Sequence, residues 1–371
     1  MSLQNLLFFT IDKSWSKIPI MESIDINKKI GDLVAKMAKD PNNIENYHEL
    51  SELYLELRDY EKVMSVLNSL LDISPEDVRA LVGLGTMWFY ERDFRKSLEY
   101  YNKALTINPK NFLIYYNIGN VYAEWKNFSK ALFYYNRAID LNSSNSEIYN
   151  AIALLYQDNE DYVEAKAYYE KALSINPENV NSLIDLGNVC FKLFEYETAL
   201  KLFKKVFVLV PDNDMVAVCI ANALTIMKDR VQAYAYFEKA LSLNGDKYRV
   251  YICYAISATE FGEYNLARDL YEKAIEIEPQ KSNAYVLLAN LQTSCNNIKE
   301  SIDLYKKALR FEPNNPQTYA LLGNAHYLDN DMELAVAAYR SAISIAPDND
   351  EYRLIYSHVM EDYVNSVRGT K

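Results

Sequence analysis

Catalysis requires reactive side chains brought together, and in this chain the reactive types are few and scattered. The three histidines, His48, His326 and His358, lie far apart, and none has a nucleophile arranged with it. The four cysteines, Cys190, Cys219, Cys253 and Cys295, form no CxxC pair and have no histidine at metal-ligand spacing. They read as reduced thiols in helices. A Gly-rich phosphate loop, GxSxG and HExxH are all missing from the sequence. Acidic residues are plentiful but fall at exposed helical positions, where they form a solvated face. The chain therefore reads as a non-enzyme with no cofactor and no metal.

The overall charge narrows the partners. With 39 Lys and Arg against 51 Asp and Glu, the formal net charge is -12. Nucleic-acid affinity rests on clustered cations, so an acidic chain is expected to prefer neutral or basic partners. No apolar run approaches the ~20 residues that a membrane-spanning helix needs. The opening "MSLQNLLFF" has too short an apolar stretch for a secretory signal, no basic region before it and no small-residue cleavage site after it. A cytoplasmic protein is the expectation. Residues 1–21 fit no later pattern and read as an extension, either disordered or upstream of a true start at Met21.

The elements that position these residues repeat. Proline stands at 41, 75, 109, 177, 211, 279, 313 and 347, and the two missing terms of that series are Ser143 and Gly245. The interval is 34 residues, too strict for chance. Nine units without insertion cover 44–349, beginning at Ile44, Val78, Phe112, Ser146, Val180, Asp214, Tyr248, Ser282 and Pro316. Each holds two amphipathic helices: in the third unit Tyr115, Ile118, Gly119 and Tyr122 share one face, and Ala131, Leu132, Tyr135, Ala138 and Ile139 share another. Proline stops the second helix, and two residues later Asp77, Asn111, Asn145, Asn179, Asn213, Asn315 or Asn349 is suited to cap the next.

Side-chain size says how the helices meet. Position 8 of the units is Ser, Gly or Ala throughout, position 20 is mostly Ala, and position 24 carries a ring in eight of nine units, from Tyr101 to Tyr339. Small residues let two backbones approach while the ring fills the space beside them, so most of the 32 tyrosines read as packing rather than ligand contact.

Period 34 with these residue types at positions 4, 7, 8, 11, 20, 24, 27 and 32 resembles the tetratricopeptide repeat. The sixth unit departs from the pattern at Ala217, Leu224 and Arg230. The resemblance implies an all-α fold, an α-solenoid in which antiparallel helix pairs form a right-handed superhelix, with the first helices lining the concave wall. A pair cannot cover its apolar faces alone, so polar ends are needed. Residues 22–43 read as an N-terminal capping helix and 350–371 as a C-terminal one.

In the family the groove side chains come from positions 2, 5, 9, 12 and 13. Position 9 gives Asn120, Asn188, Asn222, Asn290 and Asn324, flat amides that could bond an extended backbone. They resemble the asparagine ladder of the superhelical arrays attached to O-GlcNAc transferases; the same amides would serve as a merely solvated wall. Apolar wall positions include Val82, Phe89, Tyr90, Tyr116, Ile184, Phe191, Val218, Ile252, Val286 and Tyr327, part of which must be contact between neighbouring helices. Glu45, Glu52, Glu56, Glu124, Glu147 and Asp158 make the early wall acidic, with Arg79, Lys192 and Arg249 as isolated cations. The expected partner is a protein or peptide segment with apolar anchors and some basic residues. A carboxylate clamp for chaperone tails, which in the family needs Lys at position 5, is not expected, because no unit has one. The chain is expected to act as a free-standing scaffold or as the regulatory or targeting arm of an envelope-assembly, secretion or glycosyl-transfer assembly whose catalyst is a separate chain. The sequence leaves the oligomeric state open and is compatible with a monomer.

Overall fold

A computed structural model describes residues 20–369, and among these every regular element is helical. Two compact bodies meet in sequence between Glu195 and Tyr196. The first holds α1 (Ile20–Lys39), α2 (Ile44–Glu56), α3 (Tyr60–Ile73), α4 (Val78–Tyr90) and α5 (Phe94–Ile107). It continues with α6 (Phe112–Glu124), α7 (Phe128–Leu141), α8 (Ser146–Asp158), α9 (Tyr162–Ile175) and α10 (Val180–Lys192). The second holds α11 (Tyr196–Leu209), α12 (Asp214–Ile226), α13 (Arg230–Ser242), α14 (Lys247–Glu260) and α15 (Tyr264–Ile277). It ends with α16 (Ser282–Ser294), α17 (Ile298–Phe311), α18 (Pro316–Leu328), α19 (Met332–Ile345) and α20 (Asp350–Gly369). Within each body, consecutive helices pack on one another, which makes each an all-α solenoid.

The junctions between units follow from local chemistry. Each side chain expected to cap a first helix accepts from a backbone amide: Asp77 from Ala80, Asn111 from Leu113, Asn145 from Glu147, Asn179 from Ser182, Asn213 from Val216, Asn315 from Thr318 and Asn349 from Tyr352. Where position 4 is Tyr47, Tyr115, Tyr149 or Tyr285, its hydroxyl donates to the carbonyl of the residue six places before it, at 3.0–3.2 Å. That bond ties the stop of one helix to the start of the next.

Within a pair the turn is different. The residue after the first helix's C-cap adopts a left-handed conformation: Arg58, Arg92, Lys126, Glu160, Phe194, Lys228, Asn296 and Asn330 have φ between 56° and 64°, and Gly262 has 76°. The following Asp or Asn usually caps the second helix, as Asp93 does for the Lys96 amide and Asn127 for that of Lys130.

The core sits where small residues meet rings. Ala131, Ala165, Ala233, Ala267 and Ala335 at position 20 are fully buried, as are the rings of Tyr135, Tyr169, Phe237 and Tyr339 at position 24. A Cβ placed on Gly85, Gly119 or Gly323 would lie 2.5–2.8 Å from the ring of Tyr101, Tyr135 or Tyr339, so ring and backbone are already in contact. Ser97, which replaces Ala in the second unit, donates its hydroxyl to the Gly85 carbonyl at 2.7 Å and so remains satisfied while buried.

At the ends, Ile26 and Leu33 of α1 are buried, and α20 covers α19 with Val359, flanked by Tyr352, Ile355 and Tyr363. Residues 1–19 of the expected N-terminal extension lie outside the described residues, whereas Ile20 and Met21 already belong to α1, which starts two residues before the expected boundary. Lengthening a fully buried position-20 side chain should overpack the pair: Ala165→Leu is expected to cost about 1–3 kcal/mol. Thermal melts checked against the parent chain will show it as a lower midpoint.

Candidate functional site

The first helices are neighbours. Within the first body α4 touches α6 and α6 touches α8, and within the second α12 touches α14. The wall they form differs from place to place.

In the first body a groove of about 330 Å³ opens along α4, α6, α8 and α10. Its carboxylates are Glu124, Glu147, Asp158 and Asp185, and its one cation is Lys126, which pairs with Asp158 at 3.3 Å. Arg92 approaches Glu124 at 3.9 Å, and Glu147 accepts from the Asn179 amide at 3.3 Å. Phe89, Tyr116 and Leu154 supply apolar surface. Burial raises the Tyr116 phenol above its usual pKa, which keeps it a neutral hydroxyl. The sequence pattern had singled out Tyr116, Asn120, Glu124, Glu147 and Asp158. It had not singled out Asp185 or Asn150, whose amide oxygen accepts from the Ser182 hydroxyl at 2.9 Å. Their signal was available as further polar residues one helical turn from the marked positions.

The asparagines of position 9 have an inward task. Tyr135 donates its hydroxyl to Asn120 Oδ1 at 2.8 Å, Tyr305 to Asn290 at 2.6 Å, and Tyr339 to Asn324. One acceptor of each amide is therefore engaged in satisfying a phenol whose ring is the core of its own unit. Where Thr86 stands at position 9, the Tyr101 hydroxyl meets it at 2.9 Å, and burial pushes the Tyr101 pKa up to about 12. Asn188 and Asn222 belong to units whose position-24 rings, Phe203 and Phe237, have no hydroxyl.

The second body closes part of its wall. Asn222 is only 3% exposed, its Oδ1 has no hydrogen-bond partner, and Val218 and Ile252 beside it are buried. Thr225 and Ser257 bond across α12 and α14 at 2.6 Å. Asn222 thus belongs to a helix interface and not to an open groove. Phe191, at 6% exposure in α10 of the first body, and Ile184 are buried as well. Lys192 is half-buried in the last turn of α10.

Farther along, α16 and α18 frame a shallower groove of about 390 Å³ with Asn290, Asn324, Leu321 and Tyr327. It has no charged side chain in its lining. Tyr327 donates to Asp362 of α20 at 2.9 Å, so the capping helix reaches the edge of this wall.

The remaining marked cations are occupied. Arg79 bridges Glu45 at 3.2 Å and Glu52 at 2.6 Å, joining the first helices of two units. Arg249 holds Asp246 at 2.9 Å and faces the Met215 sulfur at 3.4 Å. Burial pushes the Cys190 thiol up to about 11 and that of Cys253 to about 12, which makes both inert as nucleophiles. Among the described residues no group of three or more metal-ligating side chains comes together, and no helix is long and apolar enough to cross a membrane.

Models of the tetratricopeptide repeat match residues 44–77, 112–145, 145–207, 258–325 and 316–349, and a TPR repeat model matches 92–124. The chain belongs to the tetratricopeptide repeat family. No curated protein matches it in sequence. Among solved structures, yeast Tom70 aligns with a TM-score of 0.53 at 16% identity, covering 93% of this chain and 94% of its own. PilW, a type IV pilus biogenesis factor, gives 0.49 at 20% identity over 57% of this chain and 97% of its own. The pilF protein of Pseudomonas aeruginosa gives 0.47 at 20% identity over 54% and 92%. Likeness at such identity concerns the fold alone.

Removing one phenol from the core should expose the worth of its amide partner. Tyr135→Phe is expected to lower stability by about 0.5–1.5 kcal/mol, while Phe237→Tyr, which offers a donor to the orphaned Asn222 oxygen, should raise it by about 1 kcal/mol. Urea melts of the two variants check both signs.

Proposed function

We infer that this chain is a non-catalytic scaffold that holds an extended segment of a partner protein against the first-helix wall of its first body. Family and fold support a protein-interaction scaffold in general. One observation carries the more specific reading: a groove in which four carboxylates face one lysine beside exposed and half-buried apolar side chains. Such a lining attracts lysine and arginine over a range set by salt, while the rings offer area to apolar anchors. The amide of Asn150 offers donors to a backbone carbonyl, and that of Asn120, which also hydrogen-bonds the Tyr116 hydroxyl, adds a second polar group beside it. Affinity in the micromolar range, about -8 kcal/mol, would suit a segment of this kind. The compartment proposed is the cytoplasm.

The test is fluorescence anisotropy with a labelled peptide that alternates lysine and phenylalanine. Glu147→Lys together with Asp158→Lys should weaken its binding at least ten-fold and flatten the dependence on salt, with no change in the thermal melt. Unchanged affinity in that variant would move the binding surface elsewhere.

A further inference from the structure

One junction between units of the second body is built differently from the rest, and its chemistry differs with it. At position 32 the other units carry proline, or Ser143 in the third, whereas the sixth carries Gly245, preceded by Asn244. Nowhere else in the sequence does asparagine precede glycine. Both residues are exposed, in the bend that joins α13 to α14. The glycine is required by a close approach: the Asp214 carboxylate, at the start of α12, fills the space that the Cβ of any other residue would claim, and accepts from the Asp246 amide at 3.2 Å. Neither the proline nor the serine of the other units fits there.

This substitution brings a carboxamide next to a backbone nitrogen that carries a hydrogen. Among the described residues neither the Asn244 side chain nor the Gly245 amide has a hydrogen-bond partner, so nothing in the fold restrains either group. Equivalent asparagines are protected. Asn108 and Asn176 stand at the same position of their units but precede Pro109 and Pro177, whose ring nitrogens have no hydrogen to give up and cannot attack. Asn142 precedes Ser143, yet its Oδ1 accepts from the Ser144 amide at 3.1 Å, which holds the carboxamide in place.

We propose that Asn244 is a site of self-modification, converting to aspartate and isoaspartate and loosening the junction of α13 with α14. The Gly245 nitrogen attacks Asn244 Cγ to close a succinimide ring; the bond from Cγ to Nδ2 breaks, and ammonia leaves with the proton that the Gly245 nitrogen gives up. Water then opens the ring. Attack at Cγ yields aspartate, and attack at the main-chain carbonyl yields isoaspartate, whose backbone runs through the side chain and is longer by a methylene. Overall the amide and water become an acid and ammonia, with no oxidant or cofactor. Either product sets a new carboxylate near those of Asp214 and Asp246, where like charges repel. Isoaspartate also moves the Asp246 amide away from the Asp214 oxygen. Asp246 is the cap of α14: Oδ1 accepts from the Arg249 amide at 3.1 Å and Oδ2 from its guanidinium at 2.9 Å. The first turn of α14 thus loses its anchor as the chain ages.

Ageing of the full-length chain in mildly alkaline buffer, followed by peptide mass spectrometry, decides it. The peptide holding Asn244 should gain the mass of an amide turned into an acid and split into two products, one of them a substrate for isoaspartyl methyltransferase. It should do so at least ten-fold faster than the peptides holding Asn108, Asn142 or Asn176. The rate in the folded chain should match that in urea, because the fold engages neither reacting group. Hydrogen exchange in the first turn of α14 should quicken in the aged chain but not in aged Asn244→Gln, whose longer side chain closes a ring far more slowly. A folded-chain rate ten-fold below the urea rate, or one no greater than that of Asn142, overturns the site. Unchanged exchange in a chain shown to be converted overturns the loosening.

Discussion

The contact between a small residue at position 8 or 20 and the ring at position 24 is the constraint on which the structure depends. Gly119 and Ala131 allow two helix backbones to approach, and Tyr135 fills the space left beside them. A larger side chain at either small position would separate the helices, and a smaller ring would leave a void. Because every unit solves the same packing problem, every unit has nearly the same shape, and stacking can continue without adjustment. The wall of first helices is a by-product of that uniformity.

Uniform packing also explains why the wall is chemically uneven. The ring at position 24 brings a hydroxyl into the core in six units and none in two that carry phenylalanine, and the residue at position 9 or 12 responds. Asn120, Asn290 and Asn324 accept from the ring of their own unit, Thr86 does so in the second, and Gln157 at position 12 accepts from Tyr169 in the fourth at 3.1 Å. The amides thus connect core and wall: one atom of each satisfies a buried phenol from its place on a first helix. Asn222 shows the opposite case, an amide held in an interface with its oxygen unmatched.

The period, the helix pairs and the caps were legible in the sequence because their signals are local. Proline, the Asp or Asn two places later, and the three-four spacing of apolar residues act within a few bonds of where they stand. The acidic character of the early wall was legible too, since Glu124, Glu147 and Asp158 follow from register alone. The burial of Asn222 and Phe191 was not, because it depends on how closely neighbouring first helices approach, and that distance is set by side chains on several helices at once. The double duty of Asn120 was within reach: it needs only the pairing of an asparagine with a tyrosine fifteen residues later, repeated in three units.

Eight of the nine hairpin turns place a residue with a Cβ in the left-handed region, where only Gly262 is at ease. Each such residue forgoes roughly 1–2 kcal/mol that glycine would not. Spread along the array, this is a reserve the fold leaves unspent: the native state tolerates arginine, glutamate, even phenylalanine at its sharpest bends because the hairpins are held shut by their interiors. The bends are consequently free to vary in charge and size without disturbing the core, and at Lys126 that freedom places the one cation of the first body's groove on a bend.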